Sequence, residues 1–156
     1  MNLEIFIYII LATGILLFSY NLWLIIKSNS TGKWHETKGV ILKSQLSDYS
    51  SIEVNDYKFL PEIEYSYKIS DKEFKSKKIY FGGNLMTSYN KKISRKTVEK
   101  YSKDSEVTVF YNTSNNKESV LEKGIHYQPI IGFILGLLLA GLGILLLRNP
   151  GLFVLS

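Results

Sequence analysis

The side chains able to carry metal, proton-transfer or nucleophile chemistry are few and scattered. The 156 residues hold two histidines, His35 and His126, and no cysteine. Without cysteine there is no thiol nucleophile, no disulfide scaffold and no thiolate-ligated zinc or iron–sulfur site. A two-histidine metal site would need carboxylates such as Glu36 or Glu122 beside the imidazoles. Neither H-x-x-x-H nor H-E-x-x-H spacing occurs. Both histidines therefore read as polar linker residues. Glu62 and Glu64 are the best carboxylate pair, since residues two apart in a strand share a face. That face lies opposite Tyr65 and Tyr67, so it reads as solvated surface and not as a pocket that raises an acid's pKa. Gly82-Gly83 lacks the G-x-x-x-x-G-K-[ST] pattern of a phosphate loop, and no G-x-S-x-G elbow is present. Aromatic and basic residues interleave at Tyr57-Lys58-Phe59, Tyr65-Ser66-Tyr67-Lys68 and Phe74-Lys75. On a barrel such residues can stack single-stranded bases. Beside a membrane tether they read as core aromatics with solvated neighbours. The expectation is a protein that is not an enzyme, with no catalytic, metal or cofactor-binding residue, no cofactor and no nucleic-acid partner.

The elements that hold these residues are set by how charge is sorted. Of 19 Lys/Arg and 14 Asp/Glu, all but Arg148 and Glu4 lie within residues 27–129, which therefore carry the whole formal net charge of +5. A mean hydropathy of +0.02 averages two opposite materials. Residues 5–26 are an uncharged run of about 22 residues, roughly 33 Å as a helix and enough to cross a bilayer core. A secretory signal peptide is the competing reading. The opening MNLE is not basic, the run is too long and FSYNLWLII offers no A-x-A cleavage site. Residues 130–147 form a second apolar run, bounded by Pro129 and Arg148-Asn149-Pro150. Two such runs make a transmembrane hairpin, so the partner common to both is the lipid bilayer.

Gly132 and Gly136 form G-x-x-x-G, extended by Ala140 and Gly143. Small residues on one helix face let a second backbone approach in lipid. The contact is either with the first helix, where Ala12 and Gly14 are candidate mates, or with a second copy in a homo-oligomer. Tyr20, Trp23, Lys27, Tyr127 and Arg148 are placed to anchor at the membrane interfaces. No ionisable residue lies inside either run, which argues against a transport or proton-relay site. Lys27, Lys33, Lys38, Lys43, Lys117 and Lys123 flank the runs on the loop side, against Arg148 on the other. That asymmetry puts the loop on the cytoplasmic side, in the cytoplasmic membrane of a bacterium.

Residues 34–124 read as a β-rich domain. Ile63, Tyr65, Tyr67 and Ile69 alternate with Glu62, Glu64, Ser66 and Lys68, the period of a half-buried strand that starts at Pro61. Ser70-Asp71-Lys72 is a turn, and Glu73–Phe81 runs back until Gly82-Gly83-Asn84. Gly39–Leu42 opens the domain as a strand, and 46–57 reads as a loop. Val107, Val109 and Tyr111 alternate with Glu106, Thr108 and Phe110. Residues 112–117 read as a turn-rich linker and 119–121 as a short strand. Ser94 is placed to cap a helix over Arg95–Tyr101, with Val98 and Tyr101 on one face. The expected fold class is membrane α+β: a transmembrane hairpin bracketing a small antiparallel sandwich or partial barrel with one short helix.

The order Trp34, Gly39-Val40-Ile41, Ser44, Tyr65-Ser66-Tyr67, Phe74-Lys75-Ser76, Ile79–Gly82, Tyr101, Val107–Asn112, Leu121 and Gly124 resembles the family called domain of unknown function 3592. The V-x-V-x-Y-N run is the best piece of that resemblance. It implies a two-helix anchor holding a small β-rich domain and brings no reaction or site residue. The family tends to have glycine where this chain has Lys103-Asp104-Ser105, and proline where it has Thr113-Ser114, so those turns are expected to differ. The functional expectation is a non-enzymatic binding or scaffolding module that meets another protein at the membrane surface. The alternatives are a membrane immunity protein that neutralises a cognate toxin, and a membrane-tethered hydrolase using Glu62, Glu64, His35 or His126.

Overall fold

Uninterrupted apolar sequence at each end and largely alternating sequence between them give three α-helices and five strands among the described residues. The computed structural model describes residues 3–50, 57–82 and 91–149. The elements in order are α1 (Leu3–Ser30), a 3₁₀ turn (Thr31–Lys33), β1 (His35–Ser50), β2 (Tyr57–Ile69), β3 (Lys72–Ser76), α2 (Lys91–Lys100), β4 (Glu106–Asn112), β5 (Asn115–Val120) and α3 (Tyr127–Arg148). They fall into two units, one of residues 1–26 and 127–156 and the other of Lys27–His126.

In the helical unit, α1 and α3 are long and apolar enough to cross a membrane, and only 17% of each most apolar window is buried. The core helix of a soluble protein would hide such a surface. Here Leu16, Leu138 and Leu137 are 71%, 63% and 56% exposed. Both helices outrun the apolar runs 5–26 and 130–147, because the flanking polar residues also close helical hydrogen bonds.

In the other unit the strands form one antiparallel sheet in the order β3-β2-β1-β4-β5. β1 is the shared central strand, pairing with β4 over His35–Val40 and with β2 over Gly39–Ser50. Gly39 makes that crowding possible: a Cβ there would sit 2.6 Å from Ser66 O and 2.6 Å from Val109 Cγ2. A bulge between Ile41 and Lys43 shifts the register and bends the strand. The sheet curls until its edges meet. Tyr67 Oη donates to Asn116 O (2.7 Å), and Leu121 N and Glu122 N both donate to Ile79 O (2.9 Å). The result is a five-stranded barrel with an open seam between β3 and β5 and a helix between the third and fourth strands.

The barrel interior is Ile41, Ile63, Tyr65, Tyr67, Val109 and Leu121, closed by Tyr101 beyond the end of α2. Ile63, Tyr65, Tyr67 and Val109 lie on the inward parity that the alternation in 62–69 and 106–111 predicts, with Ile69, Val107 and Tyr111 partly buried against them. Phe110, on the opposite parity, is not solvated. It joins Trp34, Phe81 and Val120 in a second cluster, where Trp34 meets Phe81 edge-on at 5.9 Å.

Several local expectations need correction. Residues 46–50 belong to β1, not to a loop, because β1 continues past its bulge against β2. β3 ends at Ser76, not Phe81. Beyond it the Lys78 and Ile79 carbonyls turn to accept from Tyr65 and from the β5 end. The 112–117 linker is a tight hairpin: Asn112 faces Asn115, and β5 begins there. Ser94 is no cap. It lies inside α2, fully buried, where a short side chain lets the helix approach the barrel. The turn at Gly82 has φ 82°, and Gly83-Asn84 lie outside the described residues.

The turn where the resemblance implies a glycine is strained in the way glycine would relieve. Asp104 has φ 63°, a left-handed conformation that costs a residue with a Cβ. It is held there because Asp104 N donates to Ile41 O at 2.9 Å. Asp104→Gly should keep that bond and stabilise the domain by about 0.5–1 kcal/mol. A thermal melt checks this, and a lowered midpoint would contradict it.

Candidate functional site

Strand pairing disperses the residues first considered for chemistry. His35 and Glu36 start β1, exposed, with the His35 ring edge-on to Tyr111 at 6.3 Å. Glu62 pairs with Lys43 and accepts from Gln45 Nε2 (3.2 Å), while Glu64 pairs with Lys77 at 3.6 Å. These are ion pairs on the outer face, so the two carboxylates serve separate lysines. Tyr65 and Tyr67 point into the barrel, and Phe74 stacks on Tyr67 at 5.7 Å.

The densest polar cluster is one the sequence did not reveal. Glu122 follows β5 and accepts from Lys100 Nζ and Tyr101 Oη, each at 2.7 Å. His126 Nε2 lies 3.6 Å from the same carboxylate, and its ring stacks on Tyr80 at 3.8 Å. Burial pushes the Glu122 carboxyl up, but the bonds from Lys100 and Tyr101 outweigh it and hold it below the usual range. Burial pushes the His126 imidazole down, outweighing Glu122 and assisted by Lys100. Burial thus favours the neutral imidazole, and the network is a carboxylate clasp between the end of α2 and the segment after β5. Nearby, Glu118 is held low by Asn112 and by Lys27, whose Nζ lies 3.2 Å away.

Acid and alkali should both loosen the domain. His126, Glu118 and Glu122 have depressed pKa values, so the unfolded chain binds protons more readily and stability is lost as pH falls. The His126 part begins near its ordinary 6.5 and the carboxylate part near 4.5. Burial raises Tyr67 and Tyr101, the latter also because it donates to Glu122, and pushes Tyr65 up to about 12. Those tyrosines stabilise fully below pH 10 and progressively less above it. Stability measured between pH 4 and 12 should form a plateau that falls on both sides. A curve that rises beyond pH 10 would contradict this.

In the helical unit, the small-residue stripe of α3 faces α1 of the same chain. A Cβ on Gly136 would lie 2.4 Å from Phe18 N, and one on Gly143 2.9 Å from Leu11 Cα. From the other side, a Cβ on Gly14 would lie 2.4 Å from Ala140 N. Gly132 lies under the Asn21 amide, 2.3 Å from Oδ1 by the same measure. Asn21 is buried, and its Nδ2 donates to Leu17 O at 2.8 Å. Its signal in the sequence was a lone amide in an apolar run. Tyr20 and Trp23 stack at 6.2 Å and are exposed, as is Tyr127. Lys27 turns to Glu118, and Arg148 ends α3 exposed.

One backbone feature stands apart from the barrel. β4 leaves β1 at Val40, and β3 leaves β2 at Tyr65. Residues 43–50 and 57–64 therefore pair only with each other among the described residues, a two-stranded ribbon whose outer backbone edges have no third strand. α2 packs on it, with Ser44 Oγ donating to Val98 O at 3.2 Å.

Two helices with the length and apolar surface of membrane spans, bracketing a five-stranded barrel, define a small β-domain protein with a helical hairpin anchor. The domain of unknown function 3592 (DUF3592) family matches residues 37–126, and the chain belongs to it. Among curated proteins, none matches the chain.

Proposed function

We propose that this is a non-enzymatic, membrane-anchored binding module. Its β1–β2 ribbon recognises a protein partner by adding a strand to a free edge. The observation that carries this reading is the ribbon, about 27 Å long at 3.4 Å per residue, whose outer edges meet no third strand among the described residues. Outward charged pairs such as Lys43–Glu62 keep that edge soluble until a matching strand arrives. The charge asymmetry of the flanking lysines supports a position for the domain on the cytoplasmic side of a bacterial membrane.

The test is photo-crosslinking of the full chain in its native membrane. A photoreactive residue replaces Gln45 on the ribbon, and in a control Lys117 on β5. A discrete adduct from position 45, absent from position 117, is expected. No adduct at position 45, or the same adducts from both sites, would overturn the proposal.

A further inference from the structure

Five carboxylates of the β domain hold a lysine among the described residues. Glu62, Glu64, Glu106, Glu118 and Glu122 are paired with Lys43, Lys77, Lys38, Lys27 and Lys100. α2 departs from that balance. Its sequence, KKISRKTVEK, sets Ser94 and Val98 toward the barrel, with Tyr101 beyond its end. Residues 92, 95, 96 and 99 fall on the opposite face at helical spacing. Lys92, Arg95, Lys96 and Glu99 line a shallow open depression there. All four are exposed, and neither Arg95 nor Lys96 has an ion-pair partner among the described residues. Two cations without an ion pair thus sit side by side there, and half-exposed Ile93 (39%) lies at their margin. A short helix that is basic on its outer face, on a domain whose chain continues into an apolar span at each end, is complementary to a surface of opposite charge. Anionic phospholipid headgroups supply it.

We propose that the outer face of α2 is a headgroup-binding surface: Lys92, Arg95 and Lys96 dock on the phosphates of anionic lipids and so fix the orientation of the barrel on its own membrane. This rests on the anchored part of the reading above and does not need the ribbon. Attraction of this kind shifts a docked-to-free ratio about fivefold for each basic residue near an anionic surface. Removing two should lower it by about 25-fold.

The test uses the full chain in nanodiscs, one set purely zwitterionic and one containing phosphatidylglycerol. The chain has no native cysteine, so Lys103→Cys carries a single spin label just beyond α2, and a fraction of headgroups carry gadolinium. Paramagnetic relaxation of the label should increase in the anionic discs, and return to the zwitterionic level in high salt or in Arg95→Gln/Lys96→Gln. The charge-matched variant Lys72→Gln/Lys75→Gln should behave as wild type, and both variants should melt as wild type. Relaxation independent of lipid charge, or an equal loss in both variants, would overturn the proposal. A label that moves only when soluble polyglutamate is added would assign the face to an acidic protein instead. Failure of the chain to enter nanodiscs at all would count against the anchor itself, which separates the two claims.

Discussion

Gly136→Leu should drive α1 and α3 apart. A Cβ at this position would lie 2.4 Å from Phe18 N and 2.8 Å from its Cα, both rigid helix backbone. No rotamer change can make room, so the helices must separate or rotate. Overpacking typically costs about 1–3 kcal/mol, and more where backbone must move. In lipid there is little hydrophobic drive to bring helices back together, so close van der Waals packing is much of what holds the pair. Gly141 is the internal control. It lies on the same helix five residues on, yet a Cβ there meets nothing within 4 Å. Unfolding of the full chain by a denaturing detergent, followed through Trp23 fluorescence, should shift to clearly lower detergent for Gly136→Leu and stay unchanged for Gly141→Leu. Equal curves for both variants would show that the seam does not hold the helices.

Tyr65→Ala should be the most damaging single change in the β domain. Tyr65 is fully buried between Ile41, Tyr67 and Val109, so truncation leaves a large cavity. Losses of about 3–5 kcal/mol are usual for such aromatic truncations, against about 5–15 kcal/mol for a whole domain. Its hydroxyl also ties two elements across the open seam, donating to Lys78 O at 2.9 Å and sharing a 3.1 Å bond with Ser119 Oγ. Tyr65→Phe keeps the ring and should cost about 1–2 kcal/mol, because the seam partners lose their bond. Glu64→Ala, one residue earlier and pointing outward, removes only a surface pair with Lys77 and should cost less than about 1 kcal/mol. Near-UV circular dichroism melts should rank the three in that order. A Tyr65→Ala melt close to that of Glu64→Ala would refute the inward assignment of this strand.

These predictions mark where sequence was sufficient. Lack of charge defines α1 and α3, and strict alternation defines the inward face of β2, because both patterns are local. The far half of β1 was hidden by the bulge near Leu42. An extra residue switches which parity faces inward, so Ser44 and Leu46 do not continue the rhythm of Gly39 and Ile41. The glycine stripe showed that a backbone approaches α3 but not whose. The answer depends on Leu11, Gly14, Phe18 and Asn21 lying at complementary spacing on α1. The Glu122 clasp was illegible for a deeper reason. Tyr80 and the Lys100-Tyr101 pair come from distant segments, and closure of the barrel seam brings them to Glu122 and its near neighbour His126. The ribbon is likewise a consequence of where β3 and β4 stop.

The most direct test of a β domain held at a membrane by a helical hairpin is the sidedness of two single cysteines. With no native cysteine, Lys72→Cys reports on the β domain and Asn149→Cys on the far end of α3. In sealed vesicles that retain the chain after alkaline carbonate washing, an impermeant thiol reagent should label one of them from outside and the other only after the membrane is opened. Labelling of both from the same face, or release of the chain by carbonate, would contradict the anchored hairpin.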